Sequence, residues 1–200
     1  MSPRPDVSDE RKYQILNAAE QVFTKKGLDL ARMDDIAEET GLSKGTLYLY
    51  FKSKEELIIA ILDRIFQGLF KQLERRKDNE LSAAEAISQF TEEAIRDYKM
   101  MLRLMPVAYE FLALAFRNTT VQKALKQYFH HYMEALVPII QRGIDSGEFQ
   151  PVDAQEAAIA AGAIYEGTIL LWVYDSSMVD VEHHIRSSIK LLLEGIQTPA

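Results

Sequence analysis

"MDDIAEETGLSKGTLYLYFKSKEEL", residues 33–57, holds two short helical patterns separated by Gly41-Leu42. The first, Met33–Thr40, turns Ile36 and Ala37 inward and carries Asp34 and Asp35 in its first turn, where the helix dipole favours anions. Gly41 is a stop signal. Ser43 is placed to cap a second helix over Lys44–Tyr50. Ser53 caps a further helix, and "SKEE" reads as a capping box with Glu56 at its third position. Two helices of about two turns each, joined by a glycine-containing turn, have the size and punctuation of a helix-turn-helix. Gly41 permits a left-handed turn, Leu42 plugs the gap between the helices, and Ala37 is small where the second helix crosses the first.

The composition of the second helix points to nucleic acid. Residues 41–54 contain Lys44, Lys52 and Lys54 and no acid, although the whole chain carries a net charge of −7. Ser43, Lys44, Thr46, Leu49 and Tyr50 are expected on the exposed side, facing a major groove. Gly45 lets backbone approach closely. Lysine and threonine read base edges, and tyrosine hydroxyls donate to phosphates. Lys54 opens the next helix, poised for another phosphate. A plain helical hairpin with Leu47, Tyr48 and Phe51 in its core accounts for Leu47 and Phe51. It does not account for Lys44, Gly45, Thr46, Tyr50 and Lys54 together.

Outward from this stretch, the chain reads as all-α. Its 200 residues fit one large domain or two small ones, and 48% hydrophobic content suits a sizeable core. There is no cysteine, which excludes disulfides, thiolate metal sites and thiol nucleophiles. "MSPRPDVSDERK" lacks the apolar region of a signal peptide. The most membrane-like run, Ala157–Tyr174, has Glu166 near its middle and two glycines, and a midplane carboxylate is costly in lipid. No membrane partner is expected, and that run reads as a buried helix. A first helix spans Ser8 to Lys26, with Ile15, Leu16, Ala19, Val22 and Phe23 in one stripe and Gly27 as its stop. The helix opened by Ser53 continues to about Lys77. Further helices are expected near 82–103, 105–117, 120–145, 153–174 and 179–196, with breaks at Asp78–Asn79, Pro106, Arg117–Asn118, "DSGEFQP" and "DSSMVD".

Residues 33–57 resemble the DNA-binding segment of TetR-family transcriptional regulators. "ILNAAEQVFTKKG", residues 15–27, extends the likeness, so that it covers about residues 10–57. The resemblance implies an all-helical homodimer. A three-helix helix-turn-helix DNA-binding domain would occupy residues 8–52. A larger ligand-binding and dimerisation domain would occupy residues 53–200, with helix 53–77 connecting the two. It implies a cytoplasmic, ligand-responsive repressor, released from an inverted-repeat operator in double-stranded DNA by a small-molecule effector and needing no cofactor or metal. On the family pattern Lys44, Gly45 and Thr46 form the front of the recognition helix, and Tyr48, Tyr50 and Lys54 touch the DNA backbone. Lys54→Ala is then expected to weaken binding to all sequences alike, and Thr46→Ala to change sequence preference. Two departures stand out. Ala31-Arg32 replaces the usual Ser or Thr before the second helix; Arg32 can reach a phosphate, but a cap worth ~1 kcal/mol is lost. Leu49 stands where many relatives carry a polar or basic residue, and it suits a thymine methyl.

"RGIDSGEFQPVDAQEAAIAAGAIYEGTILLWV", residues 142–173, resembles the family's approach to its dimerisation helix. Ala158-x-x-x-Gly162 and Ala163-x-x-x-Gly167 place small residues one turn apart. With Ile185, Ile189 and Leu192 they are expected to form the dimer interface, as a four-helix bundle with the same pair of helices from a second chain. Packing within one chain is the rival for any single residue. The middle helices are rich in methionine and aromatic residues, which line adaptable pockets or simply fill a core. The candidate effector pocket comprises Met101, Met105, Tyr109, Glu110, Phe129, Tyr165, Glu166 and Trp172. Glu110 and Glu166 sit in apolar runs, and a buried carboxylate needs a partner: an arginine, tyrosine or histidine of the chain, or a cationic or hydrogen-bonding ligand. His130 and His131 are adjacent and point apart, so they form no chelate. No Glu-x-x-His pair, phosphate-binding loop, nucleophile elbow or zinc-protease signature is present, which argues against an enzyme. Asp180 and His183 have metal-ligand spacing but stand alone.

Overall fold

The computed structural model describes residues 7–74 and 81–199 of the chain. Among the described residues the regular elements are eight α-helices, as the sequence predicts for the class: α1 (Val7–Leu30), α2 (Met33–Thr40), α3 (Lys44–Tyr50), α4 (Lys54–Glu74), α5 (Ala83–Ala115), α6 (Thr119–Asp145), α7 (Ala154–Tyr174) and α8 (Val181–Ile196). The expected end of α4 near Lys77 and the break at Asp78–Asn79 lie outside the described residues.

Local chemistry sets most of these boundaries. Gly27 interrupts α1 with φ 76° and ψ 164°, a conformation that costs a glycine little, so the predicted stop is a real break followed by one more turn. The end of α2 is a Schellman motif. Gly41 adopts φ 68°, its N–H donates to the Glu38 carbonyl at 3.1 Å, and the Leu42 N–H donates to the Ala37 carbonyl at 3.1 Å. Asn118 caps α6, Asp153 caps α7 and Asp180 caps α8. Asp180 is thereby explained: its carboxylate accepts the His183 N–H at 2.9 Å, so the metal-like spacing of the two residues is that of a cap. One boundary differs from expectation. α5 runs unbroken through Pro106, where the sequence suggests two helices. A proline removes one hydrogen bond and adds a clash, while the long helical runs on either side keep their own ladders.

The chain forms two compact units. The first combines residues up to Gln67 with Met100–Gln127, and the second combines Gly68–Lys99 with Tyr128 onward. In the first, the α1 stripe Ile15, Ala19, Val22 and Phe23 is buried, as are Ile36 and Ala37 of α2, Leu47 of α3 and Leu57, Ile58 and Ile61 of α4. Arg64 ties α4 to α1: its guanidinium donates to Asn17 Oδ1 at 2.9 Å, pairs with Glu20, and lies 4.9 Å from the Tyr13 ring centroid.

In the second unit, one apolar cluster joins Ala86, Ile87 and Phe90 of α5 to Leu136, Ile139 and Ile140 of α6, Ala157, Ala158 and Ala161 of α7, and Ile185, Ile189 and Leu193 of α8. The turn before α7 is seated in it. A Cβ at Gly143 would stand 2.4 Å from the Phe149 ring and 2.7 Å from Ala83 Cβ, so only glycine fits. The Glu148 carboxylate accepts the Ala83 and Ala84 amides at 2.7 and 2.9 Å, satisfying orphan donors of α5. α7 is long and apolar enough to span a membrane by length and composition. Here Ala154, Ala157, Ala158, Ala161 and Thr168 line its buried side, but only 22% of its most apolar stretch is buried, so its own chain covers the expected buried helix on one side only.

This packing corrects part of the predicted dimer interface. Ala158, Ile185 and Ile189 are fully buried within their own chain, and Leu192 packs partly against the same cluster. Gly162 faces Tyr132, 3.2 Å from where its Cβ would stand. Small residues one turn apart do mark close helix packing, but the partner is α6. Ala163 is exposed, and a Cβ at Gly167 meets nothing within 4 Å.

Candidate nucleic-acid interface

α3 is short and held by its ends. The Ser43 hydroxyl accepts the Thr46 N–H at 3.1 Å and bonds the Thr46 hydroxyl at 2.8 Å. At the other end the Lys52 ammonium donates to the Tyr48 carbonyl at 2.8 Å, a cation where the helix dipole favours one. Ser53 accepts the Glu56 N–H at 3.2 Å. The Glu56 carboxylate reaches back to the Lys52 amide at 2.6 Å, one residue beyond the expected box. Leu47 and Phe51 are buried and anchor α3 against its unit.

The opposite side of α3 is open. Ser43, Lys44, Gly45, Tyr48 and Leu49 are exposed, and Thr46 and Tyr50 are half-buried beside them. Leu49 is 75% exposed, an apolar side chain without a role in the chain's own core. Tyr48 likewise stands outside the core. Lys44 is paired: its Nζ lies 2.6 Å from Asp34 Oδ1, which raises the lysine pKa. Sequence places Asp34 in the first turn of α2 and gives no sign that its charge reaches across the turn to α3.

At the start of α2, Arg32 is exposed and extended, and its guanidinium has no acceptor with which to cap. The lost cap is made up from the other side. Asp35 Oδ2 accepts the Arg32 N–H at 2.9 Å and its other oxygen pairs with Lys26 at 2.9 Å. The Lys26 ammonium, and then the Arg32 amide, hold the Asp35 carboxyl below the usual aspartate range.

Two expected assignments change. Lys54 does not stand free for a phosphate: its ammonium is half-buried and donates to the carbonyls of Leu28 and, at 3.2 Å, Ala31, where α1 ends. Glu110 is not a buried pocket carboxylate. It is exposed, and it accepts the Leu28 N–H. A Cβ at Gly27 would stand 3.2 Å from the same carboxylate. The Leu28 backbone is therefore held at its N–H by Glu110 of α5 and at its carbonyl by Lys54 of α4. Neither partner is near Leu28 in sequence, so no local signal points to the contact.

The remaining pocket candidates are divided between the two units. Met101 and Met105 lie outside the described side chains. Tyr109 and Glu110 belong to the first unit and Phe129, Tyr165, Glu166 and Trp172 to the second. Tyr165 bonds the Thr91 hydroxyl at 2.8 Å, stacks edge-on with Phe90, and has its phenol pushed up to about 12 by burial. Tyr132, missing from the predicted pocket set, donates to the Ala158 carbonyl at 2.8 Å, and burial raises its pKa too. Glu166 is on the exposed side of α7, although the side chains around its carboxyl strip enough water to raise its pKa. Phe129 is largely exposed and Trp172 half-buried. Among the described residues no group of three histidines and carboxylates is arranged to hold a metal.

A capped, outward-facing second helix beside a first helix that buries Ile36 and Ala37 has the arrangement of a helix-turn-helix motif. Residues 15–61 match the family described as bacterial regulatory proteins of the tetR family, and residues 83–194 match the C-terminal domain of BetI-type transcriptional repressors. The chain is 35% identical to the uncharacterized HTH-type transcriptional regulator YfiR of Bacillus subtilis over 155 residues, covering 76% of this chain and 75% of that protein. Among solved structures it is similar to FadR of Bacillus subtilis in complex with stearoyl-CoA, at 25% identity and a TM-score of 0.74, covering 92% and 99% of the two chains. It has the fold of SmeT, the repressor of a Stenotrophomonas maltophilia multidrug efflux pump. The triclosan complex of SmeT superposes with a TM-score of 0.83 at 18% identity, covering 96% and 93%. The chain belongs to the TetR family of DNA-binding transcriptional regulators.

Proposed function

We propose that the chain works as a cytoplasmic homodimeric repressor without catalytic activity, released from an inverted-repeat operator by a small molecule. The open side of α3 carries the DNA-binding reading: Ser43, Lys44, Gly45, Thr46, Tyr48, Leu49 and Tyr50 surround a capped helix N-terminus, with Arg32 exposed at the start of α2. Lys44 and Thr46 are assigned to base edges, Leu49 to a thymine methyl, and Tyr48, Tyr50 and Arg32 to the sugar-phosphate backbone. The dimer reading rests on α7. Ile159, Ala163, Glu166 and Leu170 recur at helical spacing on its exposed side, and an apolar stripe on a soluble protein calls for a partner. A twofold dimer would set its recognition helices about 34–36 Å apart, one turn of DNA.

For the effector, the complexes of similar structures with triclosan, stearoyl-CoA and choline support a small molecule. Phe129, Tyr165 and Trp172 of the second unit are the residues assigned to it. Effector binding would alter the grip of Lys54 and Glu110 on Leu28 and so tilt α1 and the helix-turn-helix. The test is selection of duplexes from a random DNA library. An enriched inverted repeat is the expected result. No enrichment at low salt would reject the regulator reading of the α3 face.

A further inference from the structure

Two adjacent acids open α2, and the fold gives them opposite jobs. Asp35 is turned toward α1, bound to Lys26 and to the Arg32 amide. Asp34 is turned outward, and its carboxylate meets the ammonium of Lys44 at 2.6 Å, with the two side chains 61% and 60% exposed. An exposed pair of this kind does little to hold a fold together. It does change what the face presents: the first cation of the recognition helix arrives with a carboxylate beside it. Residues 41–54 look uniformly basic in sequence, and the neutralising charge enters only when α2 and α3 fold together.

We propose that Asp34 is a specificity residue, which withholds Lys44 from the phosphate backbone and reserves it for base edges. An ammonium has three donors. With one on Asp34, two remain for neutral acceptors such as guanine O6 and N7. A phosphate approaching the same ammonium meets the Asp34 charge at close range and is repelled, whereas a base edge carries no net charge. Discrimination then comes from a built-in repulsion against the wrong partner, the backbone of any DNA, more than from added attraction to the right one. The hydroxyls of Ser43 and Thr46 are bonded to each other, and Lys44 carries the charge in the first turn of α3. The proposal rests on the reading that Lys44 meets DNA.

The experiment is equilibrium binding of the full chain to two labelled duplexes of equal length, one selected and one of random sequence, over a salt series. The variants are Asp34→Asn, Asp34→Glu and Lys44→Ala, each with a thermal melt. For Asp34→Asn, the random duplex should bind about tenfold tighter, with a log-log salt slope steeper by about 0.9 for the one phosphate gained. The selected duplex should gain less, so the specificity ratio falls, and Asp34→Glu should restore it. Asp34→Asn weakening both duplexes by one factor, with a lower melting temperature, would mean that Asp34 serves only the α2 helix, and the proposal falls. Unchanged random-duplex affinity and slope, with Lys44→Ala weakening binding, would also overturn it. If Lys44→Ala leaves both duplexes unaffected, the assignment of Lys44 to DNA is itself wrong and the proposal goes with it.

Discussion

Gly45 shows how a single position separates folding from function. A Cβ there meets nothing nearer than the Ser43 hydroxyl at 3.9 Å, and its backbone does not need a positive φ. The fold has no reason to require glycine, and a helical glycine costs roughly 0.5–1 kcal/mol relative to alanine. Gly45→Ala should therefore raise the melting temperature while weakening DNA binding, because the added methyl would stand between the helix and the backbone it approaches. Thermal denaturation and duplex titration on the same preparation check both halves. Greater stability with unchanged DNA affinity would remove Gly45 from the interface. Leu49 is the complementary case: its exposure is costly in water and becomes useful only against an apolar surface such as a thymine methyl.

Among the elements, the junction of α1, α4 and α5 matters most. Leu28 is buried, and its N–H and carbonyl find partners from other helices, Glu110 accepting from the first and Lys54 donating to the second. An orphaned buried amide costs about 1–3 kcal/mol. Glu110→Ala should destabilise the chain by that order, measured by denaturant unfolding, and should weaken DNA binding as α1 loosens its hold on α2. Lys54→Ala should behave in the same way, because its ammonium holds α1 carbonyls. The family pattern instead implies a uniform loss of affinity over all sequences and a shallower salt slope. The two outcomes are separated by comparing the melt with the salt slope. Removing a phosphate contact flattens the slope by about 0.9, and loosening a helix junction leaves it alone.

For the molecule as a whole, the exposed side of α7 is the surface that the proposed dimer would cover. Glu166 lies within the exposed stripe with Ile159, Ala163 and Leu170, and loss of hydration holds its pKa above the ordinary glutamate value. A raised pKa means that the folded chain keeps a proton the unfolded chain has released. Its protonated form is favoured below the ordinary value, and the penalty for the charge grows as pH rises through the raised one. If α7 meets α7 of a second chain, Glu166 is dehydrated further. The dimer should then tighten as pH falls across that window, and Glu166→Gln should tighten it at neutral pH and flatten the pH dependence. Sedimentation equilibrium at several pH values measures this. A dimer indifferent to both pH and the substitution would put the interface elsewhere.

Whatever is governed by neighbours along the chain is legible in the sequence. The breaks at Gly27 and Gly41 follow from the conformational freedom of glycine. The caps of Ser43 and Asp153 follow from side-chain oxygens beside orphan amides, and the burial of Leu47 and Phe51 from helical spacing. The helix-turn-helix lies within 25 consecutive residues, so local spacing is enough to reveal it. Contacts between distant residues are set by tertiary packing. It places Glu110 on Leu28, 82 positions away, and turns Lys54 from the expected phosphate to the end of α1. It uses Ala158, Gly162, Ile185 and Ile189 inside one chain, leaving a different side of α7 open, and it brings Asp34 to Lys44. Periodicity tells which residues share a helix face, but a face has no label for its partner. That choice is made by the whole set of helices competing to cover one another.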